Sequence, residues 1–292
     1  MFNSLHSQVL TSSAFADCFF YNVQALDKDE TRQLAMLGAR HRERPGTVVV
    51  ASPEESRGAH PRIRIAFGKG WQDFVPGDID TVVIAGAGSS MLGTAALAKD
   101  VAERLNRPVV GVIGGPGMFG APLDGFFSVF KYGPLSLLVE HWTTLSLLFG
   151  STPKEDPSVV SLACGDADED QPLAVLRELI SRKSVKRVIA HSKGALVLAD
   201  AVLAEKEALT KRKSKLRIGT LGAVMALPEY VACCQVLGSL DELGLLISRM
   251  SVQRNVVWGT SHWLNPKIPL ALSLRDHLWE KFGSDSAFSS ND

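Results

Sequence analysis

The sequence predicts an α/β fold, with a mostly parallel central sheet and helices on both faces. Three observations predict it. Short apolar runs alternate along the chain with stretches of helical period. The runs at 81–85 and 108–113 are apolar or glycine at nearly every position, as strands covered on both faces must be. At 187–202, "RVIAHSKGALVLADAV", a strand pattern turns through His-Ser-Lys-Gly directly into a helical one.

Taken in order, the first 45 residues are mixed and end in the charged run "RHRERPG" (40–46), which reads as a solvated connection. "GTVVVAS" (46–52) and "RIRIAFG" (62–68) are strand-like, the second alternating charged and apolar residues as a half-exposed strand does. "TVVIAGAGSS" (81–90) ends a buried strand in glycines. It leads into "MLGTAALAKDVAERL" (91–105), where Leu92, Ala95, Ala96, Ala98, Val101 and Leu105 mark the apolar face of an amphipathic helix. "PVVGVIGG" (108–115) is the next buried strand.

From 116 to 157 the rhythm breaks. This stretch holds Phe119, Phe126, Phe127, Phe130, Tyr132, Trp142 and Phe149. It interrupts the sheet pattern, so it is expected to be a helical cap inserted after the fourth strand of one domain spanning 1–292. Order resumes with a strand in "PSVVSLACG" (157–165), a helix over 172–182, the strand "KRVIAH" (186–191) and the helix "GALVLADAVLAEKEAL" (194–209). "LRIGTLGAVMA" (216–226), "YVACCQVLG" (230–238) and "NVVWG" (255–259) are three further strands. "IPLALSLRDHLWEKF" (268–282), with a proline near its first turn, reads as the last helix.

Composition bounds the partners. Hydrophobic residues make up 46% and charged residues 21% of the 292, which is ordinary for a globular chain. Lys plus Arg and Asp plus Glu are both 31, so no net basic field gathers nucleic acid. Cys18, Cys164, Cys233 and Cys234 lack C-x-x-C spacing and read as buried thiols, with neither a disulfide frame nor a zinc site. "MFNSLHSQVLTSSAFAD" (1–17) has no basic n-region and no sustained apolar core. No run reaches the roughly 18 apolar residues that a membrane span requires. A soluble, cytoplasmic protein is the expectation.

The corner Ala190-His191-Ser192-Lys193-Gly194 carries the chemistry. A strand–serine–helix turn with small residues two positions away on either side is what a nucleophile elbow requires, because larger ones collide with the neighbouring strand or helix. Alanine stands where glycine is usual. A serine hydroxyl needs a histidine to take its proton, and the histidine needs a carboxylate to hold its tautomer. Both follow in the chain, each after a strand: Asp241 in "ACCQVLGSLDELG" and His262 in "NVVWGTSHWLN". Glu229 is an alternative acid, Glu242 a charged neighbour of Asp241, and His191 is expected to pack under the elbow. His277 reads as helix surface, as does His141.

An oxyanion needs two donors. The N–H of Lys193, at the start of a helix, is one; the loop "IAGAGSSMLG" (84–93) offers the other, for which Ala87 N–H is the candidate. Gly86, Gly88 and Gly93 of that loop also suggest a dinucleotide site. Their spacing is not G-x-G-x-x-G, however, and the following strand ends in Gly-Gly instead of an acid.

The glycine loop, "AHSKG", "GSLDEL" and "GTSHWL", in this order over 81–282, together resemble the α/β-hydrolase superfamily. The resemblance implies an eight-stranded, mostly parallel sheet, a Ser192–His262–Asp241 triad and acyl transfer without metal or organic cofactor. The substrate is expected to be a hydrophobic acyl ester or thioester, held by Phe119, Phe126 and Phe130 of the cap and by Trp263. The cap aromatics could equally pack the cap onto the sheet or meet a second copy in a homodimer. An acyltransferase with the same triad and a non-catalytic ligand-binding protein are the alternatives.

Overall fold

The computed structural model describes residues 17–41, 46–54, 62–68, 70–86, 89–114, 160–164 and 172–279. They build one mixed sheet of nine strands: β1 (Val48–Ala51), β2 (Ile63–Phe67), β3 (Thr81–Ile84), β4 (Val109–Val112), β5 (Val160–Cys164), β6 (Arg187–His191), β7 (Leu216–Leu221), β8 (Val231–Gly238) and β9 (Asn255–Val257). The spatial order is β5-β2-β1-β4-β3-β6-β7-β8-β9. Only β1 runs against the rest, pairing antiparallel with β2 and β4; every other pairing is parallel.

Alternation along each strand splits the core in two. Val49, Ala51, Val83 and Ile189 face one layer, with Leu34 and Leu37 of α1 (Lys28–His41) and Leu92, Ala95 and Ala98 of α3 (Met91–Leu105). Val48, Val50, Val82, Ile84, Val188 and Ala190 face the other. There they meet Val175, Leu176 and Leu179 of α4 (Pro172–Ser181) and Ala195, Leu198 and Val202 of α5 (Lys193–Ala204). A one-turn α2 (Trp71–Phe74), α6 (Lys206–Thr210) and α7 (Glu242–Ile247) complete the helices named here. Among the described residues no helix is long and apolar enough to cross a membrane.

The fold class is as the apolar runs imply, and each of the nine strand-like runs supplies one strand of the sheet. Three details differ. The helix expected over 194–209 breaks at Glu205 into α5 and α6. The helix expected from Ile268 starts only at Leu274, as a single π-helical turn (Leu274–Trp279). Residues before it fold back instead: Ser261 N–H donates to Leu270 O at 2.7 Å and Leu272 N–H to Trp263 O at 2.6 Å, with Leu270 at φ +62°. Those bonds hold the loop around His262, and a helix through Pro269 would forfeit them. Cys233, read as buried, is exposed; Cys18 and Cys234 are buried. The region 116–157, expected as the cap, lies outside the described residues, as does His141.

Candidate active site

β3, β6, β7, β8 and β9 are consecutive parallel neighbours, so their carboxyl ends open onto one edge of the sheet. In open α/β sheets that edge is where ligands bind. Gly86 follows β3, Ser192 follows β6, Gly222 follows β7, Asp241 follows β8 and His262 follows β9. Parallel pairing thus converts separations of 21 and 70 residues into contact.

Ser192 is one of three non-glycine residues with positive φ among those described, at φ +53° and ψ −128°. Such backbone costs about 1–3 kcal/mol and persists where surrounding structure over-determines it. The clamp is visible. Ser192 N–H donates to Leu221 O at 2.9 Å, and Ala195 N–H donates to Ser192 O at 2.9 Å. On the far side, a Cβ on Gly194 would come 2.7 Å from Ala85 O and 2.8 Å from Ile84 O, so α5 can approach β3 only with glycine there. Ala190, in the usual glycine position, fits because its methyl is fully buried in the second core layer.

Ser192 Oγ lies 2.8 Å from His262 Nε2, and His262 Nδ1 lies 2.7 Å from Asp241 Oδ1. A carboxylate accepts only, so Nδ1 carries the proton and Nε2 is left to accept from the serine hydroxyl. Asp241 is fully buried, and Oδ1 also accepts from Gly244 N–H at 2.5 Å as Asp241 caps α7. Its other oxygen, Oδ2, has no hydrogen-bond partner among the described residues. Glu229 is exposed and precedes β8, at the end of the sheet opposite His262, so it does not take the acid's place. Glu242 is exposed as well.

Lys193 opens α5 directly after Ser192, with its N–H at the positive end of the helix. Ala87 lies outside the described residues; the peptide N–H just before it, that of Gly86, donates to Tyr21 OH at 2.7 Å. Phe119, Phe126 and Phe130 lie outside the described residues too. Trp263 is half-buried, with its ring 5.4 Å from that of Phe20.

Three residues of the site, Tyr21, Gly222 and Asp17, escape the sequence reading, and a fourth, His191, makes bonds that it did not foresee. Tyr21 is buried and hydrogen-bonded to both Gly86 and His191. His191, expected to pack beneath the elbow, does lie buried there, and it also bonds to the His262 carbonyl at 3.1 Å. Gly222, at φ +66°, leaves room for the His262 ring: a Cβ would come 2.8 Å from His262 Cε1. Asp17 is buried at the amino end of α3, where its carboxylate accepts from Ser90 N–H at 2.9 Å, from Gly93 N–H at 3.0 Å and from the Ser90 hydroxyl. That helix terminus, where a dinucleotide's phosphates would rest, holds an anion of the chain itself. Tyr21, Gly222 and Asp17 have no local pattern that announces their place in the site. Only the left-handed backbone of Gly222 follows from residue type.

Among the described residues no three His, Cys, Asp or Glu side chains group as a metal site. Compared with protein-family models, curated proteins and solved structures, the chain matches none.

Proposed function

We propose that this chain is a serine hydrolase that cleaves a carboxylic ester or thioester of a hydrophobic acyl group. The observation that carries the reading is the directed run Asp241–His262–Ser192, with two short hydrogen bonds, in a buried corner at the carboxyl edge of the sheet. The resemblance to α/β-hydrolases supports the same assignment. The expectation of a hydrophobic substrate rests on the aromatic content of 116–157 alone.

In the first step Ser192 Oγ attacks the acyl carbonyl carbon and its proton passes to His262 Nε2. Asp241 stabilises the imidazolium that results. The carbonyl oxygen, now anionic, is held by backbone N–H groups, for which Lys193 and Ala87 are proposed. Collapse of the adduct breaks the bond to the alcohol or thiol, which leaves with the proton from His262. Water then attacks the acyl-serine with His262 again as base, releasing the acid and restoring Ser192.

Labelling by a fluorophosphonate tests this directly, because the probe traps a serine only where base and oxyanion donors are assembled. The wild type is expected to label, and Ser192→Ala and His262→Ala are expected not to. A folded wild type that stays unlabelled, and that turns over no ester or acyl thioester, refutes the hydrolase reading and favours a ligand-binding role. Turnover only when an acceptor alcohol or amine is supplied would instead identify an acyltransferase.

A further inference from the structure

We propose that Tyr21 is a positioning residue for the Ser192 centre, tying the loop proposed to supply an oxyanion donor to the loop that carries the base. The inference rests on the hydrolase reading.

The argument is one of hydrogen-bond direction. His191 Nε2 lies 3.1 Å from the His262 carbonyl oxygen, which can only accept, so Nε2 carries a proton. Burial, reinforced by the neighbouring His262, holds the His191 pKa well below the ordinary 6.5, so the ring is neutral and its Nδ1 is an acceptor. Tyr21 OH, 3.0 Å from Nδ1, must therefore donate to it. The phenol oxygen then accepts from Gly86 N–H at 2.7 Å. Burial and the nearby Asp17 charge both push the phenol pKa up, so the hydroxyl keeps its proton. A single polarity runs Gly86 N–H, Tyr21 O–H, His191 Nε2–H, His262 C=O. One end is the N–H of Gly86, the residue before Ala87; the other is the backbone of the proposed base.

The segment around Tyr21 is fastened on both sides of the serine. Asp17 binds the amino end of α3, while Leu264 N–H donates to Phe20 O at 2.9 Å and Asn265 Nδ2 to Cys18 O at 2.7 Å. The Phe20 ring meets His262 edge-on at 5.9 Å. Phenylalanine at position 21 would keep the packing but leave Gly86 N–H and His191 Nδ1 without the bonds that orient them.

The test compares the full chain carrying Tyr21→Phe with the wild type and with Tyr230→Phe, whose hydroxyl bonds to Val202 O at 3.0 Å in another part of the fold. With a p-nitrophenyl acyl ester, Tyr21→Phe is expected to lower kcat about 10- to 100-fold with KM held within about threefold. Fluorophosphonate labelling is expected to slow in parallel, and Tyr230→Phe to match the wild type. Nitrogen-15 NMR of the imidazoles supplies a readout independent of turnover. The wild type is expected to show His191 neutral, with its proton on Nε2, through the ordinary histidine range around 6.5. A proton on Nδ1, or titration of His191 inside that range, overturns the proposal whether or not the variant folds. So does an active wild type equalled by Tyr21→Phe, which would leave the hydrolase reading standing. A wild type inert to probe and ester defeats both.

Discussion

The imidazole of His191 and the backbone carbonyl of His262 meet at 3.1 Å, and the two rings lie 4.8 Å apart. The residue that precedes the proposed nucleophile thus fixes the residue that would activate it. Elbow and base loop are one mechanical unit, although 70 positions separate Ser192 from His262. What disturbs one is expected to be felt at the other.

Gly222 tests the space this unit needs. Gly222→Ala places a methyl group 2.8 Å from His262 Cε1 and 2.9 Å from Nδ1, at a backbone angle of +66° that alanine disfavours. The imidazole has to move. The fluorophosphonate labelling rate is expected to fall by about 100-fold or more, with the circular dichroism spectrum kept. Full-rate labelling would show that His262 does not depend on this clearance.

Asp241→Asn keeps the shape of the acid and removes its charge. The amide can present a donor to His262 Nδ1, favouring the tautomer that places the proton on Nε2, where it blocks acceptance from Ser192. Ester turnover is expected to drop on the order of a thousand- to ten-thousand-fold. Glu229 lies at the opposite end of the sheet from His262, so Glu229→Gln is expected to be without effect.

Asp17→Ala removes the buried carboxylate that satisfies Ser90 N–H and Gly93 N–H at the amino end of α3. Leaving buried donors without a partner costs about 1–3 kcal/mol. Urea unfolding is expected to show a loss in that range with an unchanged m-value. No loss would mean that water reaches the helix end and replaces the carboxylate.

His191 sets a pH dependence of stability. Its folded pKa is depressed well below 6.5 by burial and by His262, whereas the unfolded chain titrates near 6.5. Below that pH the unfolded state binds a proton that the folded state does not, so stability from this group is present above 6.5 and is lost as pH falls. His191→Gln has no such proton to bind. The difference in Tm between wild type and His191→Gln is therefore expected to shrink from about pH 8 to about pH 5. A constant difference would mean that His191 is equally protonated in both states.

What the sequence by itself determined is what short-range physics dictates. Apolar runs such as "TVVI" and "RVIAH" must be buried strands, and "MLGTAALAKDVAERL" must be a helix with one apolar face, bounded as Met91–Leu105. Small residues around Ser192 report a strained corner, and Asp241 and His262 each follow a strand, so three residues of the candidate site were legible. Tertiary structure alone decided the rest. Nothing local says that Asp17 reaches Ser90 across 73 positions or that Tyr21 reaches His191 across 170. Pro269 begins a helix by local rules, yet Leu270 and Trp263 hold that stretch against the His262 loop. The reason is physical. Local propensities are worth tenths of a kcal/mol per residue, whereas a buried donor or acceptor without a partner costs about 1–3 kcal/mol, so long-range pairing prevails wherever the two disagree.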